Sequence, residues 1–284
     1  MLTGKAYAKI NLFLRILDKR EDGFHNIETI FHKIALFDEI TISPHYNIVI
    51  TSNNNQLPTD EKNFCYKAVL ALQNKLNITQ GVHIKIEKNI PIGSGLGGGS
   101  SDAAMVLKLL PQLWKSDINN SELNKIALSI GSDVPYFLQK YSAYATGRGE
   151  NLKSFLINLP FWIVGIHPRS RVSTAWAYSN LSESRKTIPN KFFEHSNINI
   201  DNYISNISDF AINDFEEVVF NQSPSLKNIK NDLLTRGAKV ALLSGTGSSV
   251  FGLFDNKETA IETQNFYKSN NIVSLTAPSF QADN

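Results

Sequence analysis

Between Pro91 and Ala104 the chain reads P-I-G-S-G-L-G-G-G-S-S-D-A-A, with five glycines in the seven residues from Gly93 to Gly99. Glycine loses more backbone freedom on folding than any other residue, so this run is costly to order. A fold accepts that cost where the backbone must lie close to another group or take a positive φ. The cleanly alternating stretch Val82 to Ile86 predicts a strand before the run. Apolar spacing at Ala104, Leu107 and Leu110 predicts a helix from Ser101 to Leu113 after it. Strand, glycine loop and helix in that order aim backbone N–H groups and the positive end of the helix dipole outward. Ser100 and Ser101 add hydroxyls, and Asp102 reads as a helix-start residue. Polyphosphate is the ligand such a loop matches best. A flexible linker is the plain alternative, but Pro91 and the flanking elements frame the segment too tightly for it.

Several phosphate motifs compete for this loop. Gly93, Gly95 and Gly98 satisfy the dinucleotide pattern G-x-G-x-x-G, which alone is a weak signal. That pattern wants an acidic residue at the end of the next strand, whereas Asp117 lies in a Trp-Lys-Ser-Asp loop between helices. No G-K-[ST] ending makes a Walker A loop, and the protein-kinase motifs are absent. A kinase class with a loop of its own remains, beside a dinucleotide oxidoreductase and a non-catalytic nucleotide sensor.

At 284 residues the chain exceeds the size at which one core usually stops growing, so two lobes are expected. The formal net charge is only +2 and the 28 Lys and Arg are scattered, which argues against a nucleic-acid partner. No window approaches 18 consecutive apolar residues, so no membrane span is expected. The single cysteine, Cys65, points to a reducing cytoplasm, and no Cys/His cluster has zinc spacing.

Along the chain, strands are expected at Ala6 to Leu17, Ile27 to Phe37, Glu39 to Ile42 and Asn47 to Ile50, the last two separated by Ser43-Pro44. Helices are expected at Asn63 to Leu76 and Ser121 to Ile130, and short strands at Phe137-Leu138 and Tyr141 to Ala145. A buried strand, Phe161 to Ile166, opens the second half. The Asn/Ser/Lys-rich region from Ser182 to Asn206 reads as a mobile insertion. Beyond it come a helix (Leu226 to Thr235), a strand (Lys239 to Leu243), a second glycine turn (Ser244 to Ser249) and a strand (Val250 to Phe254). A helix (Lys257 to Lys268) and a last strand (Ile272 to Leu275) follow, an order that makes a small α+β sandwich.

P-x-G-x-G-L-G-G-G-S-S-D-A-A resembles the second signature of the GHMP kinases, the superfamily of galactose, homoserine, mevalonate and phosphomevalonate kinases. Four further segments resemble its branch that acts on 4-diphosphocytidyl-2-C-methyl-D-erythritol (CDP-methylerythritol): Ala8 to Phe31, Gly131 to Leu138, Asn213 to Glu216 and Ser244 to Phe254. The resemblance implies an α+β, two-lobed GHMP kinase fold. It places a ribosomal-S5-like α/β lobe at residues 1–160 and a ferredoxin-like α+β sandwich lobe at 161–284. It also implies transfer of the ATP γ-phosphoryl group to the 2-hydroxyl of CDP-methylerythritol in non-mevalonate isoprenoid biosynthesis, by a monomer or weak homodimer.

The same resemblance distributes roles. Asp133 matches the catalytic aspartate, although alone it reads equally as a turn or cap residue. Lys9 matches the partner lysine, and a lysine inside an apolar strand is a poor surface charge, snorkelling aside. Asn11, two residues on, faces the same side and matches a position near the substrate hydroxyls. Phe24-His25 matches the aromatic-His pair that holds cytosine. The branch usually has Tyr before the His, so Phe24 keeps the stack and lacks a hydroxyl; alone, His25 reads as a surface turn residue. Tyr178 is expected over the other cytosine face, Thr174 on substrate phosphate, and Gly245, Thr246 and Gly247 closing the site from the second lobe, where a hairpin turn is the plain reading. On the ATP side the matches are Asn63, otherwise a helix cap, and Lys88. The rest is the loop itself: Pro91, Gly93, Ser94, Gly95, Leu96, Gly97, Gly98, Gly99, Ser100 and Ser101. Mg²⁺ is implied by the chemistry, with Ser100 and Ser101 the candidate protein ligands. Gly147 to Glu150 reads as a turn without a catalytic role.

Overall fold

The computed structural model describes residues 1–181 and 200–283. The insertion expected from Ser182 lies outside the described residues as far as residue 199; from Ile200 the chain is helical. The first half holds β1 (Leu2–Lys19), β2 (His25–His45), β3 (Ile48–Ser52), α1 (Phe64–Leu76), β4 (Gly81–Glu87), α2 (Gly98–Trp114), α3 (Asn120–Ile130), α4 (Val134–Leu138), β5 (Ser142–Thr146) and β6 (Asn151–Phe155). The second holds β7 (Trp162–His167), α5 (Thr174–Ser179), α6 (Ile200–Ser205), α7 (Ile207–Phe210), α8 (Glu216–Gln222), α9 (Pro224–Thr235), β8 (Val240–Leu243), β9 (Val250–Phe254), α10 (Lys257–Tyr267) and β10 (Ile272–Thr276).

Two sheets organise these elements. In the six-stranded sheet, β1 runs along one edge of β2 while β4 and β5 share the other. In the four-stranded sheet, β10-β7-β9-β8 are antiparallel, the order of a ferredoxin-like βαββαβ unit. Period-2 alternation shows how the layers stack. On β8, Val240 and Leu242 pack with Ile10, Leu12 and Phe13 of β1, while Ala241 and Leu243 pack with Leu226 and Leu233 of α9. The sheets therefore meet face to face, with α1 to α4 behind the first and α8 to α10 behind the second.

Three readings need correction. Glu39 to Ile42 is not a separate strand: β2 continues through Ser43-Pro44. Pro44 is tolerated because β1 ends opposite Ile42, so no ladder partner on that edge needs its missing N–H. The V-P-Y-F-L run is the buried helix α4 and contains no strand at Phe137-Leu138; a short apolar run carries no period that separates the two. Helix α2 begins inside the glycine run at Gly98, which puts Asp102 one turn in and not at the start.

That shift gives Asp102 another task. Its Oδ2 accepts from Lys88 Nζ at 2.8 Å, and Lys88 also pairs with Asp38, all three being buried. Asp38 Oδ1 accepts from the backbone N–H groups of Asn89 (2.6 Å) and Ile90 (2.8 Å), so the triad ties β2, the end of β4 and α2 together. Burial pushes Asp102 up to about 8, against the pull of Lys88 and with the push of Asp38's charge. Burial works against the Lys88 ammonium too, but the two carboxylates more than offset it and leave Lys88 raised.

Two outcomes follow for stability. Folded Asp102 holds a proton that the unfolded chain has released between its ordinary 3.8 and about 8, so stability falls as pH rises across that window. Urea unfolding should show a flatter pH profile there for Asp102→Asn than for the native chain. The second concerns Gly95, whose φ is +78° and whose Cβ would lie 2.0 Å from the Ser244 carbonyl oxygen. Gly95→Ala should cost ~2 kcal/mol or more. Gly99→Ala, whose Cβ meets nothing nearer than Phe64 at 4.0 Å, should be neutral or stabilise by up to about 1 kcal/mol in the same assay.

Candidate active site

A register shift between Tyr7 and Lys9 kinks β1 and releases the Lys9 backbone N–H, which donates to Leu96 O at 3.0 Å. The Lys9 side chain turns to the helix-covered face. Its ammonium stands 5.1 Å over the Phe31 ring, donates to Asn11 Oδ1 at 2.8 Å and lies 3.7 Å from Asp133 Oδ2. Lys9 and Asp133, far apart in sequence, thus meet in space. Burial lowers the Lys9 pKa, while the charge and hydrogen bond of Asp133 oppose that shift. Asp133 occupies the N-cap position of α4, but its side chain makes no capping bond. The carboxylate is about one-third exposed (32%) and faces a cavity.

Asn11 is locked in one orientation. Its Nδ2 donates to Thr29 Oγ1 at 2.8 Å, and that hydroxyl spends its proton on Phe13 O at 2.5 Å. Oδ1 therefore faces Lys9 and also accepts from Gly245 N at 3.0 Å. Thr29 and Phe31 escape a reading of sequence because both sit in a strand with nothing to mark them.

The cavity has a volume of about 980 Å³, at the upper end for a small-molecule site. Pro91, Gly93, Ser94, Gly95, Gly97, Gly98, Gly99 and Ser100 line one end. Gly97 is the N-cap residue of α2, at φ +71°, and a Cβ there would meet the Phe137 ring at 2.7 Å. The first-turn N–H groups of Gly98, Gly99 and Ser100 have no carbonyl to bond within the helix and mark its positive end. Leu96 and Ser101 point away as anchors: Leu96 is buried between the sheets, and Ser101 Oγ donates to Tyr7 O at 2.7 Å. Lys88 reaches the cavity floor beneath Gly98, with its charge committed to Asp38 and Asp102. Asn63 caps α1, accepting from Cys65 N at 2.8 Å and donating to Pro58 O at 2.6 Å. Its neighbours Leu57 and Phe64 line the cavity and offer apolar faces to a base.

At the other end stand Phe24, His25, Thr174, Tyr178, Gly245 and Thr246. The Thr174 and Thr246 hydroxyls, both from the second lobe, are 3.2 Å apart. Gly247 sits behind the turn, donating to Ser244 O at 2.9 Å. The His25 and Tyr178 rings stack on each other, centroids 5.2 Å apart and 24° between planes. A base therefore does not fit between those two rings as they stand. Phe24 is half exposed and carries the Arg148 guanidinium 4.7 Å from its ring centroid. The Gly147 to Glu150 turn thus contributes a lining residue that its glycines did not announce. Burial and Lys19 lower the His25 pKa, with Asp18 opposing, so the imidazole is neutral near pH 7. Among the described residues no group of three or more His, Cys, Asp or Glu could hold a metal ion.

A buried lysine beside an aspartate, facing a helix N-terminus across one cavity, can hold an anion and move a proton, and comparison with known proteins gives the family. The family described as GHMP kinases N terminal domain matches residues 63–140, and GHMP kinases C terminal matches 193–272. The 4-diphosphocytidyl-2-C-methyl-D-erythritol kinase of Chlorobium phaeobacteroides (strain BS1) is 41% identical over 285 positions, covering 97% of each chain. That of Pelodictyon phaeoclathratiforme is 40% identical, covering 97% of this chain and 96% of its own. A crystal structure of 4-(cytidine 5'-diphospho)-2C-methyl-D-erythritol kinase superposes with a TM-score of 0.80 at 29% identity, covering 97% of this chain and 98% of that one. Homoserine kinase from Cytophaga hutchinsonii shares the fold at a TM-score of 0.71 and 19% identity. Similarity of this depth along nearly the whole length leaves one assignment: the chain belongs to the GHMP kinases, in the family of the 4-diphosphocytidyl-2-C-methyl-D-erythritol kinases.

Proposed function

We propose that the protein transfers the γ-phosphoryl group of ATP to the 2-hydroxyl of CDP-methylerythritol, with Lys9 and Asp133 as its catalytic pair. The observation that carries this reading is the Lys9–Asp133 pair, 3.7 Å apart, in the wall of the cavity that the α2 N-terminus also faces. ATP phosphates rest on the N–H groups of Gly97 to Ser100, and adenine lies toward Leu57 and Phe64. The acceptor hydroxyl sits between Asp133 and Lys9. Asp133 takes its proton as the new oxygen–phosphorus bond forms, and the β–γ bond breaks with its electron pair leaving on ADP. Lys9 stabilises the developing alkoxide, and its held position means little reorganisation at that moment. Mg²⁺ neutralises phosphate charge in such transfers. The donor set fits an ion brought with the nucleotide, which the Ser100 hydroxyl would help to hold, since the Ser101 hydroxyl is committed to Tyr7 O.

At the acceptor end, neutral His25 presents one donor and one acceptor to a cytosine edge. Phe24 supplies a stacking face, and Thr174 and Thr246 supply hydroxyls to the diphosphate. No helix of the described residues is long and apolar enough to cross a membrane.

Labelled ATP offered with CDP-methylerythritol, homoserine, mevalonate and galactose should label only the first; label on another alcohol alone would overturn the substrate. Lys9→Ala should lower kcat by roughly 100-fold or more while the calorimetric Kd for ATP changes little. Equal losses in both would mean that Lys9 only holds phosphate. Asp133→Asn should lower kcat by about 10²- to 10⁴-fold. Phe24→Ala should raise the KM for the cytidine substrate more than it lowers kcat, as steady-state kinetics would show.

A further inference from the structure

The N-D-F-E motif at Asn213 to Glu216 takes no direct part in the chemistry above, yet its residues reach β1, α5 and the end of β8. Asp214 Oδ2 accepts from Ile16 N at 2.8 Å, and Asp214 N donates to Leu14 O at 3.0 Å, so the segment is zipped to β1 just beyond Asn11. The Phe215 ring packs edge-on against Tyr178, with centroids 4.9 Å apart. Glu216 Oε1 accepts from Leu243 N at 3.0 Å. Asn213 does the most. It is 3% exposed; its Oδ1 accepts from Phe215 N at 2.9 Å, and its Nδ2 donates to both Leu243 O and Gly245 O at 2.8 Å. These two carbonyls flank the start of the second glycine turn, and Gly245 N is the group that donates to Asn11 Oδ1.

A continuous path runs from here to the reacting atoms. Asn213 holds the carbonyls on both sides of the Ser244–Gly245 peptide, the Gly245 N–H of that peptide fixes Asn11 Oδ1, and Asn11 Oδ1 holds the Lys9 ammonium at 2.8 Å. The polarity of each link is set: Thr29 Oγ1, its own proton given to Phe13 O, accepts from the Asn11 amide nitrogen, so the Asn11 oxygen faces Lys9. We infer that Asn213 is a positioning residue for phosphoryl transfer, acting through Gly245 and Asn11 on the direction in which Lys9 points.

The inference rests on the catalytic assignment of Lys9, and its test separates the two. Asn213→Ala removes both donated bonds. Asn213→Asp is isosteric, keeps an acceptor for Phe215 N, and turns oxygen toward the two carbonyls, so it serves should the alanine variant not fold. Either variant, once shown by urea unfolding to be folded, should lose roughly 10- to 100-fold in kcat with the Kd for ATP nearly unchanged. The decisive measurement is a double-mutant cycle with Asn11→Ala. If Asn213 acts through Asn11, adding its substitution to Asn11→Ala changes kcat less than about twofold. Multiplying effects, or an Asn213 variant with native kcat, would overturn the inference. Independently of turnover, the Lys9 amine, observed by carbon NMR of labelled lysine, should titrate closer to a free lysine in the variants. Burial is the main cause of its lowering, Asp133 is the charged neighbour that opposes it, and a loosened turn admits water. An unchanged titration would count against the inference even if the protein phosphorylated no cytidine substrate, which would itself refute the proposed reaction.

Discussion

The carbonyl oxygen of Ser244 occupies the place where a Cβ at position 95 would have to go, so the two glycine segments touch backbone against backbone. Ser244 Oγ donates to Gly95 O at 3.1 Å, and Ser249 N donates to Ser94 O at 3.1 Å, closing the contact from both sides. Because the glycine loop leans on the second lobe in this way, the two lobes touch beside the N-terminus of α2 that opens into the cavity. The costly run of glycines therefore serves two ends at once. It presents N–H groups to a ligand, and it lets one lobe approach the other more closely than any side chain would allow.

Two buried ammonium groups near this joint show how surroundings divide structure from chemistry. Lys88 faces two carboxylates that are themselves buried, which raises its pKa and leaves its charge with nothing further to do. Lys9 is as deeply placed but has a single amide oxygen in contact and one carboxylate at 3.7 Å, and its pKa is lowered. A cation held with so few partners in a low-dielectric wall gains most from a new negative charge beside it. Removing one carboxyl group from the Lys88 triad leaves a buried charge short of a partner and costs stability, whereas the Lys9–Asp133 pair is open to the cavity on one side.

How far these roles can be read without coordinates depends on the kind of signal. Alternation is strong where one face of a strand is covered and the other is more open, so Val82 to Ile86 is legible to within one residue at each end. It fails for Val134 to Leu138, which is buried on all sides, and it cannot tell that β1 and β2 bend through bulges that re-aim Lys9. Lys9, Asn11 and Asp133 could be singled out from resemblance, but their meeting is a tertiary fact. Lys88 matched a nucleotide-side position, yet its ammonium is taken by Asp38, a residue with no local mark. His25 and Tyr178 could each be singled out from resemblance; that their rings stack on each other depends on where α5 packs.

The same limit bears on Phe24. Where the branch usually carries Tyr, this chain lacks a phenolic hydroxyl, and a half-exposed ring in a turn would have little to orient it. The structure answers with Arg148, whose guanidinium lies over the ring and whose Nε stands 3.9 Å from Glu150 Oε1. Glu150 also accepts the Arg148 backbone N–H, so the turn, the arginine and the ring are held as a unit. A guanidinium stacked on an aromatic face contributes about 0.5–1 kcal/mol at an exposed site, enough to favour one ring orientation several-fold. Gly147 and Gly149 bring that unit to the cavity edge, where a Cβ on Gly149 would lie 3.7 Å from Asp133 Oδ1. A segment that reads in sequence as only a turn therefore joins the Phe24 ring to the neighbourhood of the Asp133 carboxylate along one edge of the cavity.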